Sequence, residues 1–158
     1  MTAVLSLAIG CAPCEGGSPA ITPTSPRSAV MPSPDPQTTA PLRVLIAEDV
    51  AIVGFSVAED LGEFGYRTVG PFVSGLDALR WLETETADLA VLDPMLKDGL
   101  CTGLADALTR RGVPFLVFSG GMRDRSTPEA FENAVWIEKP ASIEHLVEAL
   151  EGLRKPTA

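Results

Sequence analysis

Leu89-Ala90-Val91-Leu92-Asp93 is the stretch whose reading decides the fold. Four small or apolar residues, entered from Asp88 and ended by Asp93, have the length and unbroken apolarity of a strand buried on both faces. Three further runs share that character. Val44-Leu45-Ile46-Ala47 ends at Glu48-Asp49, Phe115-Leu116-Val117-Phe118 ends at Ser119, and Ala134-Val135-Trp136-Ile137 ends at Glu138-Lys139-Pro140. In an open parallel α/β sheet the carboxyl ends of the strands meet along one edge, and ligands bind there. Three acids, a hydroxyl and an ammonium are therefore expected to converge.

The intervening segments carry helical periodicity. Residues 51–64 place Val53, Val57, Leu61 and Phe64 on one stripe, with Gly65 as the stop. A polar, β-rich edge strand over Tyr66–Val69 is expected to end at Gly70-Pro71. Ser74 then reads as the cap of a helix presenting Leu76, Leu79 and Leu82. A loop from Pro94 to Gly99 precedes a helix over 101–111 closed by Gly112. The least regular region, 120–133, is expected to hold a mobile loop and one or two helical turns capped by Thr127, with Pro128 at the first helical position. The last helix, capped by Ser142, lays Ile143, Leu146, Val147, Leu150 and Leu153 on one face. Strand and helix alternate five times, which implies right-handed crossovers and a three-layer α/β/α sandwich around a five-stranded parallel sheet.

Composition divides the chain near residue 42. Residues 1–41 contain 8 of the 14 prolines and only Glu15, Arg27 and Asp35 as charged residues, so they read as a disordered tail with too little apolar area to fold. The domain is placed at 42–155, and it keeps a charge of −8 because the tail contributes −1 of the total −9. An acidic domain without a basic stripe argues against direct nucleic-acid binding. No apolar run approaches membrane-spanning length. Val4–Cys11 lacks the leading Lys or Arg of a signal sequence, and Cys11-Ala-Pro-Cys14 lies outside any strand–helix context. With Cys101 the one cysteine of the domain, a reducing, cytoplasmic setting is the simpler expectation.

Glu48 and Asp49 adjoin the start of a helix, where one acid serves as a cap. Two acids plus Asp93 on a neighbouring strand end exceed that need. Three carboxylates in one crevice repel each other unless a cation lies among them, and a hard divalent ion such as Mg²⁺ suits oxygen ligands. Ser119-Gly120-Gly121 offers a hydroxyl and turn N–H groups to an anionic oxygen, and Lys139 adds an ammonium. A phosphoryl group on Asp93 would meet cation, hydroxyl and ammonium together.

In this ordered set, residues 42–155 resemble the receiver domain of two-component response regulators. The resemblance rests on Glu48-Asp49 as the acidic pair, Asp93 as phosphoacceptor, Ser119 as switch hydroxyl and Lys139-Pro140 as the lysine and its proline. It implies a flavodoxin-like strand order of 2-1-3-4-5, which comes with the resemblance and not from periodicity. It implies Mg²⁺ held by Glu48, Asp49, Asp93 and the Met95 carbonyl, and a phosphoryl group taken from a sensor histidine kinase or histidine phosphotransfer protein. It also implies a cis bond before Pro140. With no second domain after Lys155, the expectation is a stand-alone receiver that signals by binding an unnamed downstream protein, with neither nucleic acid nor membrane as partner. Pro114–Gly121 partly resembles the alphaproteobacterial receivers with a Phe-Ala-Thr-Gly signature, Phe118 standing for Ala and Ser119 for Thr; many of that group act in stress-signalling phosphorelays.

Three positions depart from the receiver pattern. Pro94 follows Asp93 directly and removes a backbone donor, Lys97 stands where proline is common, and Trp136 occupies the switch-aromatic position usually held by Tyr or Phe. The resemblance implies that the side chains two after the phosphoacceptor and two after the switch hydroxyl flank the path of the attacking water. Here these are Met95 and Gly121, which cannot orient it, so slow self-dephosphorylation is expected. Two alternatives remain at this point. One is a degenerate receiver acting unphosphorylated as an adaptor. The other is a haloacid-dehalogenase-type phosphatase, which needs a second Asp where Met95 stands.

Overall fold

Strand β1 (Arg43–Ala47) shows why the buried runs read as they do, because successive residues enter different cores. Leu45 and Ala47 join a cluster with Ala78, Leu82, Leu104, Leu108 and Val117 on one face of the sheet. Val44 and Ile46 join Leu61, Val91, Leu116, Leu146 and Leu150 on the other. Both faces are apolar, so the usual polar alternation is absent. The computed structural model describes residues 40–121, 123 and 126–154. The expected tail, Cys11 and Cys14 lie outside the described residues except for positions 40 and 41.

In chain order the elements are β1, α1 (Ala51–Glu63), β2 (Arg67–Phe72), α2 (Gly75–Thr84), β3 (Leu89–Leu92), β4 (Met95–Leu96), β5 (Gly99–Leu100), α3 (Thr102–Arg111), β6 (Phe115–Ser119), a 3₁₀ turn at Glu129–Phe131, β7 (Val135–Glu138) and α4 (Ile143–Leu153). The five-stranded sheet runs β2-β1-β3-β6-β7, all parallel, which is order 2-1-3-4-5 when the small β4–β5 hairpin is left out. Helices α2 and α3 supply Ala78, Leu82, Leu104 and Leu108 to one face, while α1 and α4 supply Leu61, Leu146 and Leu150 to the other. This is the three-layer flavodoxin-like, receiver-type architecture.

Several expectations are corrected in detail. β2 does not stop at Gly70-Pro71 but continues to Phe72, because a register shift opposite β1 absorbs the proline on an edge strand. The Gly70–Pro71 bond is cis, and so is the expected Lys139–Pro140 bond. Phe64 and Leu76 are exposed, and Ala78 with Leu82 forms the inward stripe of α2. The residues after Asp93 pair as an antiparallel hairpin, Met95 with Leu100 and Leu96 with Gly99, where a plain loop was expected. Among the described residues between β6 and β7 the helical element is the three-residue 3₁₀ turn, within the expected one or two helical turns, so the α-helices among the described residues number four. The N-cap position of that turn is Pro128, one residue later than the expected Thr127. The fourth apolar run is correspondingly less buried, since β7 lies at the sheet edge and Val135 is exposed.

The helix ends follow their sequence signals. Gly65 (φ 87°) ends α1 with Tyr66 N–H donating to Leu61 C=O and Gly65 N–H to Gly62 C=O, a Schellman pair. Ser142 caps α4 by accepting from His145 N–H. No helix among the described residues is long and apolar enough to cross a membrane.

Candidate functional site: an acidic cluster at the sheet edge

The central strands deliver the acids. Asp93 N–H donates to Ala47 C=O at 2.8 Å, so the end of β3 is tied to the end of β1. Glu48 N–H donates to Phe72 C=O at 2.9 Å, tying the same point to β2. Carboxylate oxygens of Glu48, Asp49 and Asp93 come within 4.8 Å of one another. Glu48 is 3% exposed, and Gly54 allows this close approach of α1: a Cβ there would stand 2.5 Å from Pro71 Cβ and 3.2 Å from Glu48 Cβ.

Lys139 reaches in from the end of β7. Its Nζ donates to Glu48 Oε2 at 2.5 Å and to Asp93 Oδ2 at 2.6 Å, and lies 5.1 Å from the Phe118 ring centroid. Burial raises the Glu48 carboxyl above its ordinary value, against the opposing pull of Lys139. Burial draws the Lys139 ammonium downward, but Asp93 and Glu48 outweigh it and the net shift is upward. The ammonium therefore stays charged, held by two carboxylates.

Three carboxylates and one ammonium leave two negative charges over, which one divalent cation balances. Mg²⁺ takes six oxygens at about 2.0–2.1 Å, which sets opposite ligands about 4 Å apart. The hard-oxygen donor set and the 4.8 Å spread fit such an ion after small side-chain adjustments.

The remaining expected residues stand at different distances from this centre. Ser119 is buried at the end of β6, next to β3; its Oγ accepts from Gly121 N–H at 3.2 Å and its carbonyl accepts from Lys139 N–H at 2.8 Å. Met95 contributes its N–H to Asp93 Oδ1 at 2.8 Å, while the residue as a whole is 53% exposed. Pro94 has no N–H, so Met95 carries the first main-chain donor after Asp93. Trp136 packs inward: its ring meets Phe131 edge-on at 6.4 Å, and its Nε1–H donates to Phe131 C=O.

Two contacts of the site were not foreseen. Cys101 Sγ donates to Asp93 C=O at 3.2 Å, and burial pushes that thiol up to about 12. Asp98 caps α2 from the hairpin, accepting from Gly75 N–H, Leu76 N–H and Ser74 Oγ. The dipeptide Asp98-Gly99 is a turn signal that could have announced the hairpin, though not its target. A cavity of about 710 Å³ lies elsewhere, between α3 and the Pro128–Ala134 segment, where the short turn leaves space; none of the acidic cluster lines it.

No protein-family profile matches the sequence. Two curated proteins from Mycobacterium tuberculosis strains, both called transcriptional regulatory protein PdtaR, are 32% identical over 125 residues, covering 76% of this chain and 60% of theirs. The chain thus spans about three fifths of the length of those relatives. Among solved structures, a CheY-like response regulator receiver domain protein from Methanospirillum hungatei superposes with TM-score 0.64 at 25% identity, covering 71% of this chain and 92% of that one. A receiver domain from Methylobacillus flagellatus gives TM-score 0.63 at 26% identity over 72% and 99%. SdrG from Sphingomonas melonis gives 0.62 at 28% identity over 73% and 98%.

Proposed function

The folded domain is a CheY-like response regulator receiver domain, and from that premise we propose that Asp93 accepts a phosphoryl group in a two-component phosphorelay. The observation that supports this most is the convergence of Glu48, Asp49, Asp93 and Lys139 at the ends of three parallel strands. The donor is a sensor histidine kinase or a histidine phosphotransfer protein. An Asp93 oxygen attacks phosphorus, a P–O bond forms, the P–N bond to imidazole breaks, and the freed nitrogen takes a proton.

Glu48, Asp49, Asp93 and the Met95 carbonyl are the residues that would hold Mg²⁺, which supplies positive charge to the phosphoryl oxygens. Lys139 neutralises Asp93 before transfer and meets the added charge afterwards. Ser119 Oγ exchanges its Gly121 contact for a phosphoryl oxygen, and Trp136 changes its packing in response. The output is binding to another protein, in keeping with the negative net charge of the chain. The partial Phe-Ala-Thr-Gly signature favours the alphaproteobacterial group.

Incubation with acetyl phosphate and Mg²⁺, followed by intact mass, tests the reading. One hydroxylamine-sensitive phosphate is expected, and none on Asp93→Asn. Undiminished phosphate on that variant sinks the assignment, and steady release of inorganic phosphate favours a phosphatase. In the same experiment phospho-Asp93 should decay slowly and Met95→Asn should hasten it, because a carboxamide can orient water and a thioether cannot. Unchanged decay in Met95→Asn removes Met95 from that role.

A further inference from the structure

We propose that Asp98 is a positioning residue for the acidic site: its carboxylate, seated on the start of α2, holds the β4–β5 hairpin so that the Met95 main chain lies against Asp93. The inference rests on the phosphoacceptor reading for its functional consequence, though not for its geometry.

Asp98 is an exposed acid with an unusual share of partners. Oδ1 accepts from Gly75 N–H at 2.9 Å, and Oδ2 accepts from Leu76 N–H and from Ser74 Oγ, each at 2.9 Å. Ser74, in the N-cap position, makes only a long 3.4 Å contact with Asp77 N–H. The stronger cap of α2 therefore comes from 22 to 24 residues further along the chain. One position earlier, Lys97 N–H donates to Val73 C=O at 3.0 Å. The tip of the hairpin is thus fastened at two successive residues to the turn between β2 and α2.

That turn is itself fixed to the site, since Phe72 C=O accepts from Glu48 N–H. At the other end of the hairpin, Cys101 N–H donates to Pro94 C=O at 3.0 Å and Met95 N–H donates to Asp93 Oδ1. A closed circuit results: Glu48, the β2–α2 turn, Asp98, the hairpin, Met95 and Asp93. Pro94 makes the circuit matter, because it leaves Met95 as the first main-chain donor to the Asp93 carboxylate. Two-residue strands cannot hold their own register, and the hairpin contributes only Leu96 to the core. Its placement depends on what grips its tip. Groups that orient ligands from behind are worth about 10–100-fold in metal affinity.

The test compares Asp98→Ala and Asp98→Asn with Ser74→Ala by amide hydrogen exchange and by Mg²⁺ titration calorimetry on the full chain. In Asp98→Ala, exchange at Met95 and Lys97 should rise about as much as at Gly75 and Leu76. Mg²⁺ binding should weaken about tenfold. Phosphorylation by acetyl phosphate should slow at limiting Mg²⁺ and recover at saturating Mg²⁺. Ser74→Ala keeps the two N–H contacts of Asp98 and should leave Met95 protected. Faster exchange confined to Gly75 and Leu76, with Mg²⁺ affinity unchanged, would reduce Asp98 to a helix cap and overturn the proposal. Should the alanine variant not fold, Asp98→Asn decides by the same readouts. If the wild-type chain neither binds Mg²⁺ nor takes phosphate, the phosphoacceptor reading falls, and exchange at Met95 still decides whether Asp98 holds the hairpin.

Discussion

Helices α1 and α2 start at the same edge of the sheet, and their starts are built in opposite ways. Two acids stand directly before α1, yet its N-cap is Val50, with no side-chain cap. Glu48 turns toward Lys139 and spares only Oε1 for Val50 N–H at 3.3 Å. No acid immediately precedes α2, yet it begins under Ser74 and under both oxygens of Asp98. Carboxylates that sequence position offers to α1 are withheld for the cluster, while α2 receives one from a distant hairpin. A site residue is recognisable here by the local bond it declines to make.

The largest expected effect comes from removing the cation that makes this withholding tolerable. Lys139→Ala should cost about 3 kcal/mol in urea unfolding without divalent ions, because it leaves a buried carboxylate unpaired. Mg²⁺ at a hundredfold excess over its Kd should return about 2.7 kcal/mol. A loss below about 1 kcal/mol would show the acids to be at ease without Lys139 and would break the comparison. Next in size are the caps. Ser142→Ala, at an ordinary helix start, should cost about 1 kcal/mol, whereas Val50→Ser should gain about 0.5–1 kcal/mol by supplying the missing cap of α1. No gain at Val50 would mean that Glu48 already does that work.

The smallest effect is one of pH. The hydrogen bonds from Gly75 and Leu76, with Ser74 behind them, lower the Asp98 carboxyl to about 2 from an ordinary 3.8. A depressed carboxyl contributes stability above its unfolded value and loses it as pH falls from about 4 toward 2. A carboxyl-carbon NMR titration should place the Asp98 midpoint near 2. A midpoint near 3.8 would mean that the α2 cap does not persist in solution and would erase the contrast between the two starts.

Sequence alone determined the layers and the edge. The runs Val44–Ala47, Leu89–Leu92 and Phe115–Phe118 are apolar at every position, and only a sheet covered on both faces accommodates them. Because parallel strands end together, that reading carried Glu48, Asp49, Asp93, Ser119 and Lys139 to one side. Helix stops at Gly65 and Gly112 and caps at Ser74 and Ser142 were legible too, being signals within four residues of their targets. Tertiary structure decided what depends on partners far along the chain. Periodicity could not show that β2 passes through Gly70-Pro71, since the proline is tolerated only by the bulge opposite β1. Nor could it show that Asp98 serves α2, or that Trp136 turns toward Phe131. Apolar pattern is a property of each segment, because burial is nearly blind to which neighbour does the burying. A hydrogen bond needs one donor and one acceptor at a set distance, and that pairing exists only once the chain has closed.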